Sequence, residues 1–394
     1  MIYLFMEWIL SMIDELFSDS SIIESENYQD IILNNISELY LANFEEEIDE
    51  DDLELGIIIY FSTISPKRSS TFLKFRKPYT MVSPSHIEYL KNIDQPTQKT
   101  QEWYEMRYNL ITASNAWKAL SGGKQLNSFI YEKCLPLDTS KYMGYMTSGS
   151  LYWGILFEEV SVMLYEYKYN TIVEDFGCIR DKKYSFLGAS PDGINVKLDS
   201  PLYGRMLEIK NVVNREITGS PKREYWIQMQ LQMNICELNE CDFLETKFEA
   251  YNNYNDFMND GNFTYTKTNK LKGIIMSFIK NEKPVYEYMP LHLSEQEYEV
   301  WETKQLKQYG EDTWIKNIYW RLEKYSCVLV IRNKRWFNQV VPTLSNVWDT
   351  IIYERINGYE HRKPNKHKKR EIPFNKCCVN MNNTISVIKV DTEV

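Results

Sequence analysis

The sequence predicts an α/β (α+β) fold in which a central mixed β-sheet is flanked by helices, with helical additions at both ends of the chain. Three observations predict it. Between residues 101 and 290, helical and strand-like patterns alternate. Three strand-like runs follow one another between two helices, an order typical of a mixed sheet rather than a purely parallel one. Hydrophobic residues make up 43% of the 394 residues, which is enough apolar surface for a sizeable core.

Residues 1–95 are expected to form an acidic, mainly helical extension followed by a linker. Residues 1–60 carry sixteen Asp and Glu and no Lys or Arg. Apolar residues recur near a period of 3.6 over residues 31–40, which predicts an amphipathic helix. The Ser-, Lys- and Pro-containing stretch 65–80 predicts a linker. The extension is interpreted either as a solvated appendage or as a segment that binds a partner or mimics DNA.

Residues 96–290 are expected to form the core domain. Its predicted helices lie at 101–109, 114–121, 125–135, 148–167 and 221–237. Its predicted strands lie at 171–180, 186–196, 205–213, 243–251 and 273–279. The first three of these strands have turn signals between them, at Pro191, Gly193 and Pro201.

Residues 291–394 are expected to form a helical C-terminal region. Helices are predicted at 294–308 and 336–355, with one strand at 327–332. The segment 361–370, HRKPNKHKKR, contains six Lys and Arg. Such a run is either a flexible solvated segment or a nuclear-localisation or nucleic-acid contact.

Charge and cysteine content limit the classes of function. The net charge is −10, but the residues after the first 60 carry 39 acids against 45 bases, so that part is compatible with binding nucleic acid. The seven cysteines form no CxxC pair, which argues against a disulfide framework, a zinc knuckle or an iron–sulfur cluster and indicates a reducing compartment. No apolar run reaches about 18 residues, so we expect neither a membrane span nor a signal peptide.

The chemistry is concentrated between residues 188 and 210, where GASPDG is followed by LEIK. Alternate side chains of a strand share a face, so Glu208 and Lys210 project together. If the segment with Asp192 pairs with that strand, its carboxylate converges on Glu208. An E-x-K pair can be an exposed charge pair and PDG a common turn. However, LEIKNVV is otherwise apolar, and charge is costly in a buried strand. The pattern therefore predicts an oxygen-rich site for Mg²⁺ or Mn²⁺.

Five segments resemble, in order, motifs of the PD-(D/E)XK nucleases, in particular the branch of lambda-type exonucleases and YqaJ-like viral recombinases. They lie within about residues 100–250 and read WYEMRYNLITAS (103–114), GILFEE (154–159), SPDG (190–193), LEIK (207–210) and IQMQLQM (227–233). The resemblance implies a restriction-endonuclease-like core. Five motifs in one order are far more specific than any one of them.

The resemblance also implies roles for the residues at the matching positions. The metal would be held by Asp192, Glu208, Glu158 and the main-chain carbonyl of Ile209. One or two Mg²⁺ ions would bind, and Mn²⁺ would substitute. Lys210 would orient or deprotonate the attacking water and offset phosphate charge.

Two of these positions have competitors in the sequence. Glu158 and Glu159 lie about 100° apart on one helix, so only one faces the site, and the spacing from the motif glycine favours Glu158. The implied glutamine, which would hold the water or the neighbouring carboxylate, is Gln228 by its position in the motif. Gln230 and Gln232 remain alternatives.

A pocket for a terminal 5′ phosphate is implied by Arg107, Ser114 and Ser190, because a guanidinium and hydroxyl donors suit that anion. The alternative is that Arg107 is a salt-bridge partner on its own helix. The family's further arginine lies six residues after the motif lysine, where this chain has Glu216. Arg215 stands one position earlier, so either the loop is shifted or the contact is lost.

The resemblance implies a Mg²⁺-dependent nuclease that degrades linear double-stranded DNA 5′ to 3′ in recombination and repair. The implied partners are duplex DNA ends, a single-strand-annealing protein and further copies of the chain. The expected location is the cytoplasm, the nucleus or a viral replication site, without a membrane. The alternatives are a structure-specific or nicking endonuclease of the same fold and a catalytically silent DNA-binding scaffold.

Overall fold

A computed structural model describes residues 2–16, 28–53, 55–56, 82–96, 100–138, 149–281, 283–310 and 313–363. The linker expected at 65–80 and most of the basic segment 361–370 lie outside these residues. Among the described helices, none combines the length and the apolar character that crossing a membrane requires. None of the cysteines within the described residues forms a disulfide.

The helices used below are numbered in chain order. They are α1 (Ile2–Leu16), α2 (Tyr28–Phe44), α3 (Pro84–Asn92), α4 (Gln101–Tyr108), α5 (Ala113–Ala119), α6 (Gly123–Cys134), α7 (Ser150–Tyr169), α8 (Arg223–Ile235), α9 (Tyr254–Asn259), α10 (Glu295–Tyr309) and α11 (Lys334–Asn357). The predicted core helices after residue 110 agree with α5 to α8 to within two residues at each end.

The strands form two sheets. They are β1 (Ile111–Thr112), β2 (Val173–Glu174), β3 (Ile179–Arg180), β4 (Leu187–Ala189), β5 (Gly193–Asn195), β6 (Met206–Asn211), β7 (Glu240–Ala250), β8 (Lys272–Lys280), β9 (Lys283–Tyr288) and β10 (Trp314–Ile331). The larger sheet has the order β2-β5-β6-β7-β10-β8-β9 and the smaller one β1-β4-β3. In the larger sheet only β6 and β7 run parallel, so the sheet is mixed and flanked by helices, as the sequence predicts.

The strand β10 joins the C-terminal region to the central sheet. It pairs antiparallel with β7 on one side and with β8 on the other, so that Trp320 stands opposite both Ala250 and Gly273. The sequence predicted only its last third, because residues 314–319 are exposed or half-buried and charged residues interrupt the strand up to residue 324. The large sheet therefore contains residues on both sides of the boundary expected at residue 290.

The N-terminal helices are attached to the main core by apolar side chains. Ile9 and Ile13 of α1 and Ile32 and Ile36 of α2 are fully buried in the same cluster that contains α5, α8 and α11. The helix expected over residues 31–40 is thus part of α2. The acidic segment 45–52 that follows α2 is exposed almost throughout.

Candidate active site

The two acids of the predicted motif converge from neighbouring antiparallel strands. Asp192 directly precedes β5, whose Gly193 stands opposite Leu207 of β6. The N–H of Ile209 donates to Oδ2 of Asp192 at 2.7 Å, which fixes this carboxylate against the strand that carries Glu208. Glu208 itself is fully buried. Since a buried carboxylate needs partners, the surroundings of Glu208 define the site.

Lys210 is one of these partners. Its Nζ donates to Oε1 of Glu208, and its side chain is 25% exposed. Burial lowers the pKa of Lys210, but Glu208 and Asp192 outweigh burial and raise its pKa above the ordinary value. Burial also raises the pKa of Asp192, followed by repulsion from Glu208, while Lys210 opposes both. Two acids thus share one ammonium group, which favours Lys210 as a charge-compensating and orienting group over a proton acceptor.

Among the three glutamines of α8, Gln232 contacts the site. Its Nε2 donates to Oε2 of Glu208 at 2.8 Å and approaches the carbonyl of Ser190 at 3.3 Å. Gln230 faces the other way and binds the backbone at the end of β10 and before α11. Gln228 is half-buried one turn before Gln232 on the same face of the helix. The role predicted for Gln228 stays a prediction, and no sequence pattern distinguishes Gln232 from the other two glutamines.

The face of α7 that carries Glu158 is directed toward the motif strands. Glu158 contributes to raising the pKa of Asp192. The pKa of Glu159 is raised by burial and then by Asp175 and Glu166, which lie away from the motif. The helix therefore presents Glu158 rather than Glu159 to the two buried acids, which is the choice that the glycine spacing favoured.

The donor set fits one divalent cation. In the part of the chain that the structure describes, no three His, Cys, Asp or Glu side chains lie close enough to hold a metal ion by themselves. Mg²⁺, however, is commonly bound by one or two carboxylates and completes its six ligands with water and substrate phosphate. Asp192 and Glu208 supply two such carboxylates, and their charge exceeds what Lys210 offsets. The carbonyl of Ile209 remains a predicted ligand.

The predicted phosphate-binding residues lie next to the carboxylates. Nη2 of Arg107 approaches Oγ of Ser114 at 3.5 Å, and the guanidinium lies 4.4 Å from the ring centre of Trp103. The Oγ of Ser190 is buried and lies against the thiol of Cys178. Cys178 lies near Arg107 and Ser190. Burial raises the pKa of the Cys178 thiol, and these two residues oppose that rise. An arginine and two hydroxyl groups thus surround one spot.

Lys133 of α6 is a further cation at this spot, and no motif in the sequence indicated it. Its Nζ donates to the carbonyls of Arg107 at 2.7 Å and of Leu110 at 2.6 Å. Burial lowers the pKa of Lys133 to about 7, and the charges of Arg107 and Arg355 act in the same direction. Lys133 therefore fixes the turn between α4 and β1 and, below about pH 7, adds positive charge behind Arg107.

Arg355 of α11 holds the same turn from outside. Its guanidinium donates to the carbonyl of Tyr108 at 2.9 Å and to that of Lys133 at 2.8 Å, and it lies 4.0 Å from the ring centre of Tyr108. The neighbouring Glu354 pairs with Arg362. The C-terminal helix is thereby fastened to the elements that carry the candidate phosphate pocket.

Arg215 is engaged differently from the other predicted phosphate ligands. Its guanidinium forms an ion pair with the buried Glu245 and lies 5.5 Å from the ring centre of Tyr225. Nζ of Lys210 lies 5.2 Å from the same ring. Arg215 thus stands on the side of Lys210, and its contact with a terminal phosphate stays a prediction.

Part of the chain is similar in sequence to known viral proteins. Residues 102–239 match the family model of the YqaJ-like viral recombinase domain. The uncharacterized protein R354 of Acanthamoeba polyphaga mimivirus is 28% identical over 338 residues, which cover 77% of this chain and 61% of that protein. The chain thus spans about three fifths of the length of this relative.

Two solved structures are similar to part of the chain. The alkaline exonuclease LHK-Exo of Laribacter hongkongensis is 17% identical, with a TM-score of 0.38, over 65% of this chain and 94% of that one. A phage-related exonuclease of Haemophilus somnus 129PT is 12% identical, with a TM-score of 0.33, over 64% and 98%. The matched family segment begins at α4 and ends just before β7, and so contains the carboxylates, Lys210 and the candidate phosphate pocket. Residues 102–239 are therefore similar to YqaJ-like viral recombinase domains.

Proposed function

We propose that the protein is a Mg²⁺-dependent deoxyribonuclease, and specifically an exonuclease that degrades linear duplex DNA from 5′ ends. The observation that carries the proposal is the convergence of Asp192 and Glu208 around the ammonium group of Lys210, inside the segment that matches the family. Two acids and a lysine on a buried strand pair suit hydrolysis of a phosphodiester, which needs a cation and an oriented water.

The chain's own groups divide the work. Asp192 and Glu208 would hold the cation, and Glu158 of α7 would face it. A bound Mg²⁺ supplies stabilisation of the charge that develops on the phosphate and its leaving oxygen. The ammonium of Lys210 orients the attacking water and offsets phosphate charge, and Gln232 keeps the Glu208 carboxylate in one orientation. Mn²⁺ is expected to substitute, because it prefers the same oxygen ligands.

The direction of cleavage rests on the pocket formed by Arg107, Ser114 and Ser190. An arginine fork with hydroxyl donors suits a terminal phosphate, and Lys133 adds charge behind it. A duplex whose 5′ end is held there presents its first phosphodiester to the carboxylates. We propose that the resulting 3′ single strands serve recombination and repair, together with a single-strand-annealing protein and further copies of the chain, inside the cell or at a viral replication site.

The test is a cleavage assay with Mg²⁺ on three DNA substrates. They are a linear duplex with 5′ phosphates, the same duplex with 5′ hydroxyls, and covalently closed circles. The wild-type protein is compared with Lys210→Ala and with Lys304→Ala, which removes an exposed lysine of α10 as a matched control. Circular dichroism checks that both variants fold.

The exonuclease proposal requires degradation of linear DNA only, faster with the 5′ phosphate, abolished in Lys210→Ala and retained in Lys304→Ala. Cutting of closed circles would replace it with an endonuclease of the same fold. Binding of DNA without cleavage by the wild type, with either Mg²⁺ or Mn²⁺, would leave only a DNA-binding scaffold. Equal rates on both linear substrates would refute the proposed 5′-phosphate pocket, while the proposal of a nuclease would stand.

A further inference from the structure

Asn211 follows Lys210 at the end of β6, and its side chain bridges three elements. Its Nδ2 donates to the carbonyl of Gly154 in α7 at 2.7 Å. Its Oδ1 accepts from Oγ of Ser161, also in α7, at 2.7 Å and from Oγ1 of Thr246 in β7 at 2.6 Å. Both ends of the amide are therefore used, and its orientation is fixed.

The two contacts on α7 lie on either side of Glu158. In an α-helix, the carbonyl of residue 154 is the acceptor for the N–H of residue 158, so Asn211 binds the carbonyl of the same turn. Gly154 and Ser161 are seven residues apart and lie almost on one line along the helix. Glu158 stands between them, within about 60° of that line, whereas Glu159 is roughly 140° or more away.

Electrostatics agree with this rotation of the helix. Glu158 is near enough to Asp192 for their two charges to interact. Glu158 is itself exposed, and in the part of the chain that the structure describes Asn211 makes the polar contacts that join this turn of α7 to β6. Two short hydrogen bonds of Asn211 thus connect the strand of Glu208 to the helix of Glu158.

We propose that Asn211 is a positioning residue: it sets the rotation of α7 so that Glu158, and not Glu159, completes the cation site of Asp192 and Glu208. The inference rests on the proposed function, since it assigns Glu158 to the same cation. It concerns a residue next to the signature, which acts through α7 and touches neither cation nor DNA.

The experiment measures binding of Mn²⁺ to the protein alone by titration calorimetry. The variants are Asn211→Ala, Glu158→Gln and the double variant. Two controls are matched to them. Gly154→Ala keeps the carbonyl, and an added Cβ there meets no atom within 4 Å. Thr246→Val removes the donor in β7 together with its 2.9 Å contact to Ser161, and leaves both contacts of Asn211 to α7.

We expect Asn211→Ala to weaken Mn²⁺ binding about 10- to 100-fold, the usual effect of removing a group that orients a ligand. Glu158→Gln should weaken it at least as much, and adding Asn211→Ala to Glu158→Gln should change the affinity less than about twofold, because the two act as one unit. Both controls should bind like the wild type. Cleavage rates should follow the same order.

The proposal is overturned if Asn211→Ala binds Mn²⁺ normally, or if its loss multiplies with that of Glu158→Gln. A wild type that neither binds Mn²⁺ nor cleaves DNA would instead remove the proposed function, and this inference with it. If Asn211→Ala does not fold, the same cycle is run with Ser161→Ala, which removes one contact to α7. Ser161→Ala should then weaken Mn²⁺ binding less than Asn211→Ala is expected to, and it should not weaken it further in the Glu158→Gln background. A further loss of Mn²⁺ affinity in that background would refute the proposal.

Discussion

Gln232 donates to Oε2 of Glu208 at 2.8 Å, while Oε1 of the same carboxylate accepts from Lys210. Each oxygen of the Glu208 carboxylate thus accepts from a different donor, the neutral amide of Gln232 and the charged ammonium of Lys210. Since a fully buried carboxylate keeps its orientation only through such partners, Gln232 and Lys210 together determine where its free lone pairs point.

Replacing Gln232 by leucine should slow DNA cleavage about 10- to 100-fold, because Glu208 loses the donor that orients it. Single-turnover rates at saturating Mg²⁺ measure the effect, with melting temperature as the check on folding. Gln228→Leu is the matched control on the same helix face. A larger loss for Gln228→Leu than for Gln232→Leu would return the orienting role to the glutamine that the motif position selects.

Arg355→Ala should reduce the preference for 5′-phosphorylated over 5′-hydroxyl ends by about tenfold, because a small displacement of the turn that carries Arg107 is costly at a binding site. The ratio of the two rates is the measurement, since a merely structural effect lowers both rates equally. Arg335→Ala, at the other end of α11, serves as the control. If the ratio of the two cleavage rates is unchanged and the melting temperature falls, Arg355 stabilises the fold and does not position the phosphate pocket.

The sequence predicted the parts of the site that depend on local pattern. Asp192, Glu208 and Lys210 follow from strand alternation and one turn, and the structure places their charges together. Gln232 is one of three similar glutamines, and only the register of α8 against β6 distinguishes it. Arg355 contacts Lys133 across 222 residues of chain, and no local pattern contains such a contact.

The same reason explains the missed part of β10. Residues 314–319 of this strand are exposed or half-buried, and four charged side chains lie between residues 316 and 324, so this part lacks the apolar run of a buried strand. In the sheet these charges find partners on neighbouring strands, as Arg321 does with Glu249 of β7. Cross-strand pairing stabilises a strand that its own composition does not indicate. A prediction from one sequence therefore ended the core domain too early to include this strand in the sheet.

Lys133 should make folding more stable at alkaline pH. Burial lowers the pKa of Lys133 to about 7, whereas an unfolded lysine titrates near about 10.4. Between these values the unfolded chain binds more protons than the folded one, so the free energy of unfolding rises with pH across the window. Below about pH 7 both states are protonated and the gain is absent.

The test compares urea denaturation of the wild type and Lys133→Met at about pH 6.5 and 9.5. The wild type should gain stability relative to the variant at the higher pH. Lys304→Met, which replaces an exposed lysine, should show no such relative change. A constant difference for Lys133→Met would mean that the two carbonyl acceptors keep the ammonium charged at an ordinary pKa.

Lys272 should be essential to the lobe around α9, although it is far from the motif. It is fully buried and donates to the carbonyls of Phe257 at 2.5 Å, Asp260 at 2.9 Å and Asn262 at 2.7 Å. Lys272→Met keeps the length of the side chain but removes the ammonium donor from these carbonyls, of which that of Phe257 keeps the N–H of Asp260 as a donor. Each orphaned group costs about 1–3 kcal/mol, and relief from burying a charge offsets part of this, so we expect a loss of about 2–4 kcal/mol in the free energy of unfolding. Lys270→Met, which breaks a half-exposed pair with Glu323, should cost at most about 1 kcal/mol. Equal losses for the two variants would show that the carbonyls around Lys272 find water instead.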